Sequence, residues 1–302
     1  MLFDHPAAAT AALPALPAAA SNYPRMLLLR RPDGFRHASD SASDNAYMQA
    51  TDFDAERAVA QWQGLVDALR AAGHLVLALP GDPTTPEAVF PNNVFATAPG
   101  RLVIGAMRHP SRQREARDAN VRQRLVGELG LRVIDLSTGD WVAELTGSLV
   151  IDRGRSLGYC GLSERCDRAG AEAMQRAFDL RTMLCFDLAE GEYHTNVVLS
   201  ALGSRGLLLH PEGFADPDWV SLWRRWHGPA LVEVDAAEKA AFAANCIALA
   251  DDQLWLSATA AAALRESTRT QLQSLGWQLH SVPLDEIERA GGSLRCMVGE
   301  IY

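Results

Sequence analysis

Five short polar segments contain the residue types that could carry out chemistry. They are residues 91–93, 144–147, 194–196, 244–245 and 292–296. Together they supply the thiol of Cys296, the imidazole of His194, the carboxylate of Glu144 and several carboxamides. Nucleophilic catalysis needs a thiol near a base, and a third group that orients the base. The set therefore predicts a nucleophilic site, provided that the fold brings the five segments together.

Each of these residues also has a purely structural interpretation. Cys296 lies in an apolar stretch, which predicts a strand, and a thiol there can pack as a small hydrophobic group. His194 and Glu144 could be exposed residues that precede turns. Asn92 and Asn93 could be turn residues, because asparagine tolerates left-handed backbone conformations. One shared site explains the matched positions with fewer coincidences, so it is the favoured interpretation.

The elements that must position these side chains repeat along the chain. Predicted hairpins cover residues 94–107, 148–160, 197–210 and 246–256, with turns at 99–100, 153–154, 203–204 and 251–252. The turns recur at intervals of about fifty residues, which is typical of repeat architectures. Because each polar segment comes just before a hairpin, units related by rotation would place all five segments at one mouth of the molecule.

Each hairpin is followed by one predicted helix and one more strand. The helices are residues 111–129, 167–179, 216–226 and 258–275, and the strands are 132–136, 183–188, 230–234 and 278–282. A fifth helix and strand, at 55–72 and 74–79, can take their hairpin from the two chain ends, at 26–30 and 294–302. The pattern predicts an α/β fold of five ββαβ units in a ring that the N- and C-terminal strands close. An open α/β sandwich is the alternative.

Composition narrows the function further. The net charge of −9 argues against nucleic acid or an anionic membrane as a partner, and no apolar run approaches the length of a membrane span. Lys239 is the only lysine and lies in a polar run, which argues against a Walker-type phosphate loop and against Schiff-base chemistry. No cysteine or histidine spacing suggests a metal site. We therefore predict neither a metal nor another cofactor.

Cysteine usage and the chain start suggest where the protein works and where its domain begins. The five cysteines are odd in number and widely spread, which favours a reducing, cytoplasmic location. Residues 1–23 are rich in alanine and proline and lack a basic segment, so we interpret them as a flexible tail rather than a signal peptide. Residues 24–302 are then a single catalytic domain. The sequence does not decide whether the chain forms a homo-oligomer.

Several segments resemble the guanidino-group-modifying enzymes, which include arginine deiminases, dimethylarginine dimethylaminohydrolases and amidinotransferases. Residues 91–95, 110–115, 161–165 and 243–246 are similar to motifs of the dimethylarginine enzymes, the first to Pro-Asp-x-Val-Phe and the third to Gly-Leu-Ser-x-Arg. Residues 90–93, 193–196 and 292–297 are more similar to a bacterial branch assigned to citrulline hydrolysis. The resemblance covers nearly the whole chain after residue 23 and implies a five-bladed ββαβ propeller with pseudo-fivefold symmetry.

Carried over by position, the resemblance also implies roles for individual residues. Cys296 would be the nucleophile, His194 the general acid–base and Glu144 the group that orients the imidazole. Arg112 and Arg165 would hold the carboxylate of a small amino-acid substrate, because guanidinium groups bind carboxylates at two points. The alternative for these two arginines is that they are surface cations near helix starts.

The sequence departs from its relatives where they bind the reacting group. Asn92 and Asn196 stand where the relatives have aspartates, and Asn93 joins them as a predicted substrate-binding residue. A carboxamide offers a donor and an acceptor without charge, which suits a neutral ureido group better than a guanidinium cation. We therefore predict a hydrolase that converts citrulline to ornithine, ammonia and carbon dioxide. An arginine or methylarginine hydrolase, an amidinotransferase and a non-catalytic binding module are the alternatives.

The segment from residue 31 to residue 54 is polar and follows the first predicted strand. It could form a mobile lid over the mouth of the ring, or a passive surface loop.

Overall fold

The computed structural model describes residues 1–20, 22–50 and 52–302, and these form a mixed α/β structure. The strands are β1 Leu2–Phe3, β2 Met26–Arg30, β3 Val76–Leu79, β4 Phe95–Ala98, β5 Arg101–Ile104, β6 Arg132–Asp135, β7 Leu149–Asp152, β8 Leu157–Leu162, β9 Thr182–Asp187, β10 Leu199–Ala201, β11 Leu207–Leu209, β12 Leu231–Glu233, β13 Ile247–Ala248, β14 Gln253–Ser257, β15 Gln278–Val282 and β16 Gly299–Ile301. All four hairpins predicted from the sequence are present.

Helices and single turns connect the strands. The α-helices are α1 Pro6–Ala12, α2 Ala55–Ala71, α3 Pro110–Glu115, α4 Ala119–Arg122, α5 Leu145–Ser148, α6 Arg168–Phe178, α7 Asp218–His227, α8 Ala236–Ala240, α9 Ala258–Ala263, α10 Glu266–Ser274, α11 Asp285–Glu288 and α12 Leu294–Met297. The 3-10 turns are Ser41–Asp44, Pro91–Asn93, Leu136–Thr138, Thr195–Val197, Pro211–Gly213 and Gly228–Ala230, and Gln123–Glu128 is a π-helical segment.

The strands within the described residues form five small sheets with the same internal order. Each sheet has an antiparallel pair followed by a third, parallel strand: β4-β5-β6, β7-β8-β9, β10-β11-β12, β13-β14-β15 and β16-β2-β3. In the last sheet the two chain ends meet, with Gly299 opposite Leu28 and Ile301 opposite Met26. The predicted pairing of the N- and C-terminal strands is therefore confirmed.

The helices bury their apolar faces against the sheets. In α2, Ala58, Trp62, Leu65, Val66 and Leu69 recur at three- and four-residue spacing and are all buried. This spacing gives a helix one apolar stripe, which packs here against β2 and β15 residues in one cluster. Asp54 begins the helix, because its side chain accepts a hydrogen bond from the backbone N–H of Arg57.

The first residues of the chain differ from the flexible tail expected at 1–23. Strand β1 pairs in parallel with β9, with Leu2 opposite Met183 and Phe3 opposite Leu184. In α1, Ala9 is completely buried and packs in the same cluster as the aromatic residues of α7. The prediction was wrong because it rested on local composition, whereas the exposed edge of β9 supplies backbone partners that β1 satisfies.

Two predicted helices and one predicted strand are divided in the structure. Residues 111–129 form α3, α4 and the π-helical segment Gln123–Glu128. Residues 258–275 form two helices, because the backbone N–H of Arg265 donates to Glu238 Oε1 at 3.0 Å instead of continuing α9. Residues 294–302 were predicted as a strand, but the first four form the helical turn α12 and only Gly299–Ile301 pair with β2. Cys296 therefore lies on a helical turn and not on the last strand.

Candidate active site

Single helical turns precede the first strands of four sheets, and the predicted catalytic and substrate-binding side chains lie on or next to these turns. Pro91–Asn93 precedes β4, α5 precedes β7, Thr195–Val197 precedes β10 and α12 precedes β16. Each turn is closed by a backbone hydrogen bond, such as Cys296 N–H to Ser293 O at 3.0 Å and Val94 N–H to Pro91 O at 3.1 Å. A one-turn helix reverses the chain abruptly, so its polar side chains project from the end of the sheet.

Cys296 is buried, with 3% of its surface exposed. The side-chain amide of Asn245 donates to its sulfur at 3.4 Å, and the sulfur lies 3.8 Å from Asn196 Oδ1. Burial raises the pKa of the Cys296 thiol, although the hydrogen bond from Asn245 opposes the change. At neutral pH the resting cysteine is therefore a thiol that needs a base.

His194 and Glu144 form a buried pair. The Nε2 atom of His194 lies 2.9 Å from Glu144 Oε2, and Glu144 is completely buried. Burial by itself would raise the pKa of Glu144, but Arg165 and the hydrogen bond with His194 outweigh it and hold that pKa well below its usual range. An ionised carboxylate can only accept, so Nε2 carries the proton and Nδ1 is left as the basic atom.

Burial lowers the pKa of His194, and the positive charges of Arg165 and Arg112 act in the same direction. The negative charge of Glu144 opposes this change without cancelling it. The imidazole is therefore neutral at neutral pH. It can therefore accept a proton, which is the state that a general base needs, and it lines the same cavity as Cys296.

The three predicted asparagines lie in the same region but have different partners. Asn93 donates from its amide to Glu144 Oε2 at 3.0 Å and accepts from Arg112 Nη2 at 2.9 Å. Asn92 and Asn196 both donate to the backbone oxygen of Thr146, at 3.2 and 3.1 Å. Asn92 and Asn93 line the cavity described below, whereas Asn196 lies behind it, beside the sulfur of Cys296.

Arg112 and Arg165 are both buried, which rules out the surface-cation alternative. Arg112 forms an ion pair with Glu115 at 3.1 Å and donates to Phe90 O at 2.8 Å. Glu115 is buried with it, and burial raises the pKa of this carboxyl to about 7. Arg165 forms ion pairs with Asp44, at 2.5 Å, and with Glu144, at 3.3 Å.

These side chains surround one cavity, whose empty space, including its opening to solvent, is about 290 Å³. Of the predicted residues, six line it: Asn92, Asn93, Arg112, Arg165, His194 and Cys296. Glu144 does not line the cavity and is connected to it through His194, Asn93 and Arg165. A second cavity, of about 530 Å³, contains neither His194 nor Cys296 in its lining, so the smaller one is the candidate active site.

Sequence reasoning missed several residues of the cavity wall. Asn45, Glu87, Phe90, Tyr193, Ala290 and Gly292 also line it. Asn245 was recognised in the fourth polar segment but not as a partner of Cys296, although its position matched that of the other segments. No matched position in another unit pointed to Glu87, because it lies before the segment at 91–93. The turn between Glu87 and that segment places its side chain in the cavity wall.

The sequence profile of a protein family described as "N,N dimethylarginine dimethylhydrolase, eukaryotic" matches residues 31–302. The chain belongs to this family. This confirms the resemblance inferred from the motifs at 91–95 and 161–165. One relative of this N,N dimethylarginine dimethylhydrolase family member is an uncharacterised protein of Aeropyrum pernix. The two chains are 27% identical over 279 residues, and the alignment covers 92% of this chain and 95% of the relative.

Solved structures share the fold of this dimethylhydrolase family member. The N-terminal domain of ArgZ, a cyanobacterial arginine dihydrolase bound to its substrate, superposes with a TM-score of 0.80 at 20% identity, covering 91% of this chain and 97% of that one. DDAH from Pseudomonas aeruginosa, in complex with citrulline, superposes with a TM-score of 0.72 at 19% identity, covering 93% and 100%. At these identities the likeness establishes the fold alone.

Two further observations concern this family member as a whole. In residues 1–20, 22–50 and 52–302, no helix combines the length and apolar character needed to cross a bilayer. Across the same ranges, no group of three or more His, Cys, Asp or Glu side chains is placed to hold a metal ion.

Proposed function

We propose that the protein is a cysteine-dependent hydrolase that cleaves a C–N bond in the ureido or guanidino group of an α-amino acid, with citrulline as the favoured substrate. The observation that carries the proposal is the shared cavity, which Cys296 and His194 line together with two buried arginines. A non-catalytic binding module would not need a buried thiol beside an imidazole held by a carboxylate.

Two groups of side chains fit the two parts of such a substrate. Arg112, Arg165 and Glu87 are charged and line the cavity together, so they match the carboxylate and the ammonium of an α-amino acid. Asn92 and Asn93 line it as neutral carboxamides, and Asn196 and Asn245 surround the sulfur of Cys296. Carboxamides can donate to the carbonyl of a ureido group and accept from its NH₂.

The proposed reaction begins when His194 Nδ1 takes the proton of the Cys296 thiol and the sulfur bonds to the planar carbon. The C–N bond to the leaving nitrogen then breaks, and the imidazolium returns the proton to that nitrogen. His194 next takes a proton from water, the resulting hydroxide bonds to the carbon and the C–S bond breaks, and the imidazolium returns the proton to the departing sulfur. With citrulline the product is a carbamic acid, whose remaining C–N bond then breaks to give carbon dioxide and the second amine, as its O–H proton passes to that nitrogen. With citrulline, one water is consumed and ornithine, ammonia and carbon dioxide are released.

Arginine dihydrolysis is the second candidate, and two observations favour it. ArgZ, which has the same fold, is an arginine dihydrolase. Glu87 places a buried carboxylate in the cavity wall, where it could offset the charge of a guanidinium as well as that of an ammonium. In that case citrulline would be the intermediate of two successive hydrolyses at Cys296.

A product assay on separate substrates tests the proposal. The purified protein is incubated with citrulline, arginine or methylated arginines, and ornithine, citrulline and ammonia are quantified. We expect one ammonia per ornithine from citrulline; two per ornithine from arginine would favour dihydrolysis, and turnover of methylated arginines alone would contradict both. Added glycine detects an amidinotransferase, because a guanidino product would then form.

The Cys296→Ser variant is expected to lose at least about 10³-fold in kcat while its unfolding curve stays close to that of the original protein, because the side chains differ by one atom. Retained turnover would remove Cys296 from the proposed reaction. Failure of Cys296 to react with iodoacetamide, in a protein inactive on every substrate tested, would instead favour a binding module.

The proposal also covers how the five sheets are arranged and in which cellular compartment the protein works. We propose that the five sheets are the blades of a five-bladed propeller within a single domain at 24–302, since hydrogen bonds link their first strands in turn. Thr97 of β4 donates to Glu300 O of β16, and two further bonds join neighbouring sheets at or just before their first strands, from Thr195 to Ser148 O and from Ser200 to Cys246 O. The free cysteines support a reducing cytoplasmic setting.

A further inference from the structure

Protein groups occupy most of the hydrogen-bonding capacity of Arg165. Its Nε and Nη2 atoms donate to Asp44 Oδ1 at 2.8 and 2.5 Å, and Nη2 also donates to Ser41 O at 2.8 Å. Its Nη1 atom donates to Glu144 Oε2 at 3.3 Å. Of its five N–H groups, only one on Nη1 lacks a partner among the described residues. Arg165 thus joins Asp44 to the carboxylate that holds His194.

Asp44 belongs to the segment 31–54, which covers one side of the cavity. Asn45 lines the cavity directly, and Met48 forms a backbone bridge with Ala290 on the same wall. The other oxygen of Asp44, Oδ2, lies 2.8 Å from His109 Nε2 and 3.2 Å from Arg108 Nε. The carboxylate is therefore fixed from both sides, and it pairs with Arg165 through Oδ1 and with Arg108 through Oδ2.

We propose that Asp44 is a positioning residue, which neutralises Arg165 when the covering segment is in place and so sets the charge around the His194–Glu144 pair. This inference rests on the proposed function, because it concerns the acid–base role of His194. It deepens that function by making the covering segment a part of the acid–base machinery rather than a passive wall.

The charges that surround His194 determine the direction of the effect. Glu144 favours the imidazolium, whereas Arg165 and Arg112 disfavour it, and Tyr193 and Cys296 face the same space as neutral groups. Without Asp44, the charge of Arg165 is compensated only by Glu144 and, more weakly, by Glu87. Arg165 then competes more strongly with His194 for Glu144, and its uncompensated charge acts on the imidazole. Both effects make protonation of His194 harder.

Titration of the His194 ring by NMR tests this without any knowledge of the substrate. Histidine-labelled protein is titrated, and the His194 signal is assigned by its loss in His194→Gln. We expect Asp44→Asn to lower the midpoint by the order of one pH unit, and Asp44→Glu, which keeps the charge, to restore most of it. If Asp44→Asn does not fold, Asp44→Ser is the second variant, with the same expected direction.

Asp40→Asn is the matched control. Asp40 belongs to the same segment and accepts from the backbone N–H of Ser111 at 2.9 Å, so its loss loosens the segment without touching Arg165. We expect its His194 midpoint to equal that of the original protein. The inference would be overturned if Asp44→Asn, Asp44→Glu and Asp40→Asn all kept the His194 midpoint of the original protein. It would also be overturned if Asp40→Asn shifted the midpoint as much as Asp44→Asn, since loosening of the segment alone would then explain the shift.

The outcomes separate this inference from the proposed function. If the protein shows turnover that depends on Cys296 but Asp44→Asn leaves the His194 midpoint unchanged, only the role of Asp44 is contradicted. A shifted midpoint in a protein with no Cys296-dependent turnover supports the electrostatic link and contradicts the proposed function. In an active enzyme, the acid limb of kcat/KM should move in the same direction as the NMR midpoint.

Discussion

At the scale of single residues, the candidate site is defined by which groups hold protons. Cys296 is a buried thiol and His194 a buried neutral imidazole, while Glu144 stays ionised because the charge of Arg165 and the hydrogen bond with His194 outweigh its burial. The resting pair is therefore thiol and imidazole, not thiolate and imidazolium. Catalysis then requires proton transfer within the complex, and His194 must be unprotonated when the substrate binds.

This protonation state predicts the pH dependence of activity. His194 is inactive as a base when protonated, and burial lowers its pKa from the ordinary value of 6.5. We therefore expect kcat/KM to be independent of pH around neutrality and to fall only below pH 6.5, with a slope of one proton. Initial rates between pH 4.5 and 8 at low substrate concentration measure this pH dependence of kcat/KM.

Circular dichroism at each pH is the control for loss of the fold. In the unfolded chain, histidine takes up a proton near pH 6.5 and glutamate near pH 4.5, whereas folded His194 and Glu144 resist it to lower pH. Both groups therefore reduce the free energy of unfolding as the pH falls. An acid limb above pH 6.5, in protein that remains folded, would contradict the assignment of His194 as a buried neutral base.

At the scale of elements, the one-turn helices determine the distances between functional groups. Helix α5 brings Gly147 directly under the ring of His194, and a Cβ atom at Gly147 would lie 2.6 Å from the ring carbon Cε1. Real side chains do not approach so closely, so the position requires glycine for space rather than for backbone conformation. The imidazole thus lies against the backbone of α5, the helical turn that Glu144 directly precedes.

Gly147→Ala is expected to displace the imidazole and lower kcat by about 10²-fold, the usual effect of a shift near 1 Å in a catalytic group. The free energy of unfolding should fall by about 1–3 kcal/mol from overpacking. Steady-state kinetics and urea denaturation measure the two effects.

Gly64→Ala is the matched control in another helix. Gly64 lies inside α2, where an added Cβ meets nothing within 4 Å. Alanine should stabilise the protein by about 0.5–1 kcal/mol and leave kcat unchanged. If Gly147→Ala were as active as Gly64→Ala, the close contact with His194 would have no role in catalysis.

At the scale of the whole molecule, the pairing of β16 with β2 connects the nucleophile to the rest of the site. Besides this pairing, Thr97 Oγ1 donates to Glu300 O at 2.9 Å and accepts from the backbone N–H of Tyr302 at 3.0 Å. Ile301 is buried in the cluster that contains Leu28 and Ile104. The last strand is therefore held on two sides.

A chain that stops at residue 298 keeps Cys296 but lacks β16. We expect it to lose cooperative urea unfolding, because the missing contacts approach the total stability of about 5–15 kcal/mol of a typical domain. A chain that lacks residues 1–13 is the control. It loses only β1 and α1, so it should unfold cooperatively and keep turnover; cooperative unfolding of both chains would show that closure by β16 is dispensable.

Local patterns in the sequence determined the order of the elements. The turns at 99–100, 153–154, 203–204 and 251–252 fixed the hairpins, since turn preference and strand alternation depend on neighbouring residues alone. The recurrence of a polar segment before each hairpin then indicated Cys296, His194 and the asparagines. These five short segments were sufficient because the units repeat, so a position in one unit could be compared with the same position in the next.

Only the tertiary structure decided which groups are partners. Composition suggested a free tail at 1–23, but strand β1 pairs with the edge of strand β9. Glu87 and Asp44 gave no sign of their roles, because each reaches the site through contacts made far along the chain, with Arg112 and with Arg165. The proton positions at Cys296 and His194 also required the fold. They depend on burial and on charges from other units, and no short stretch of sequence contains either quantity.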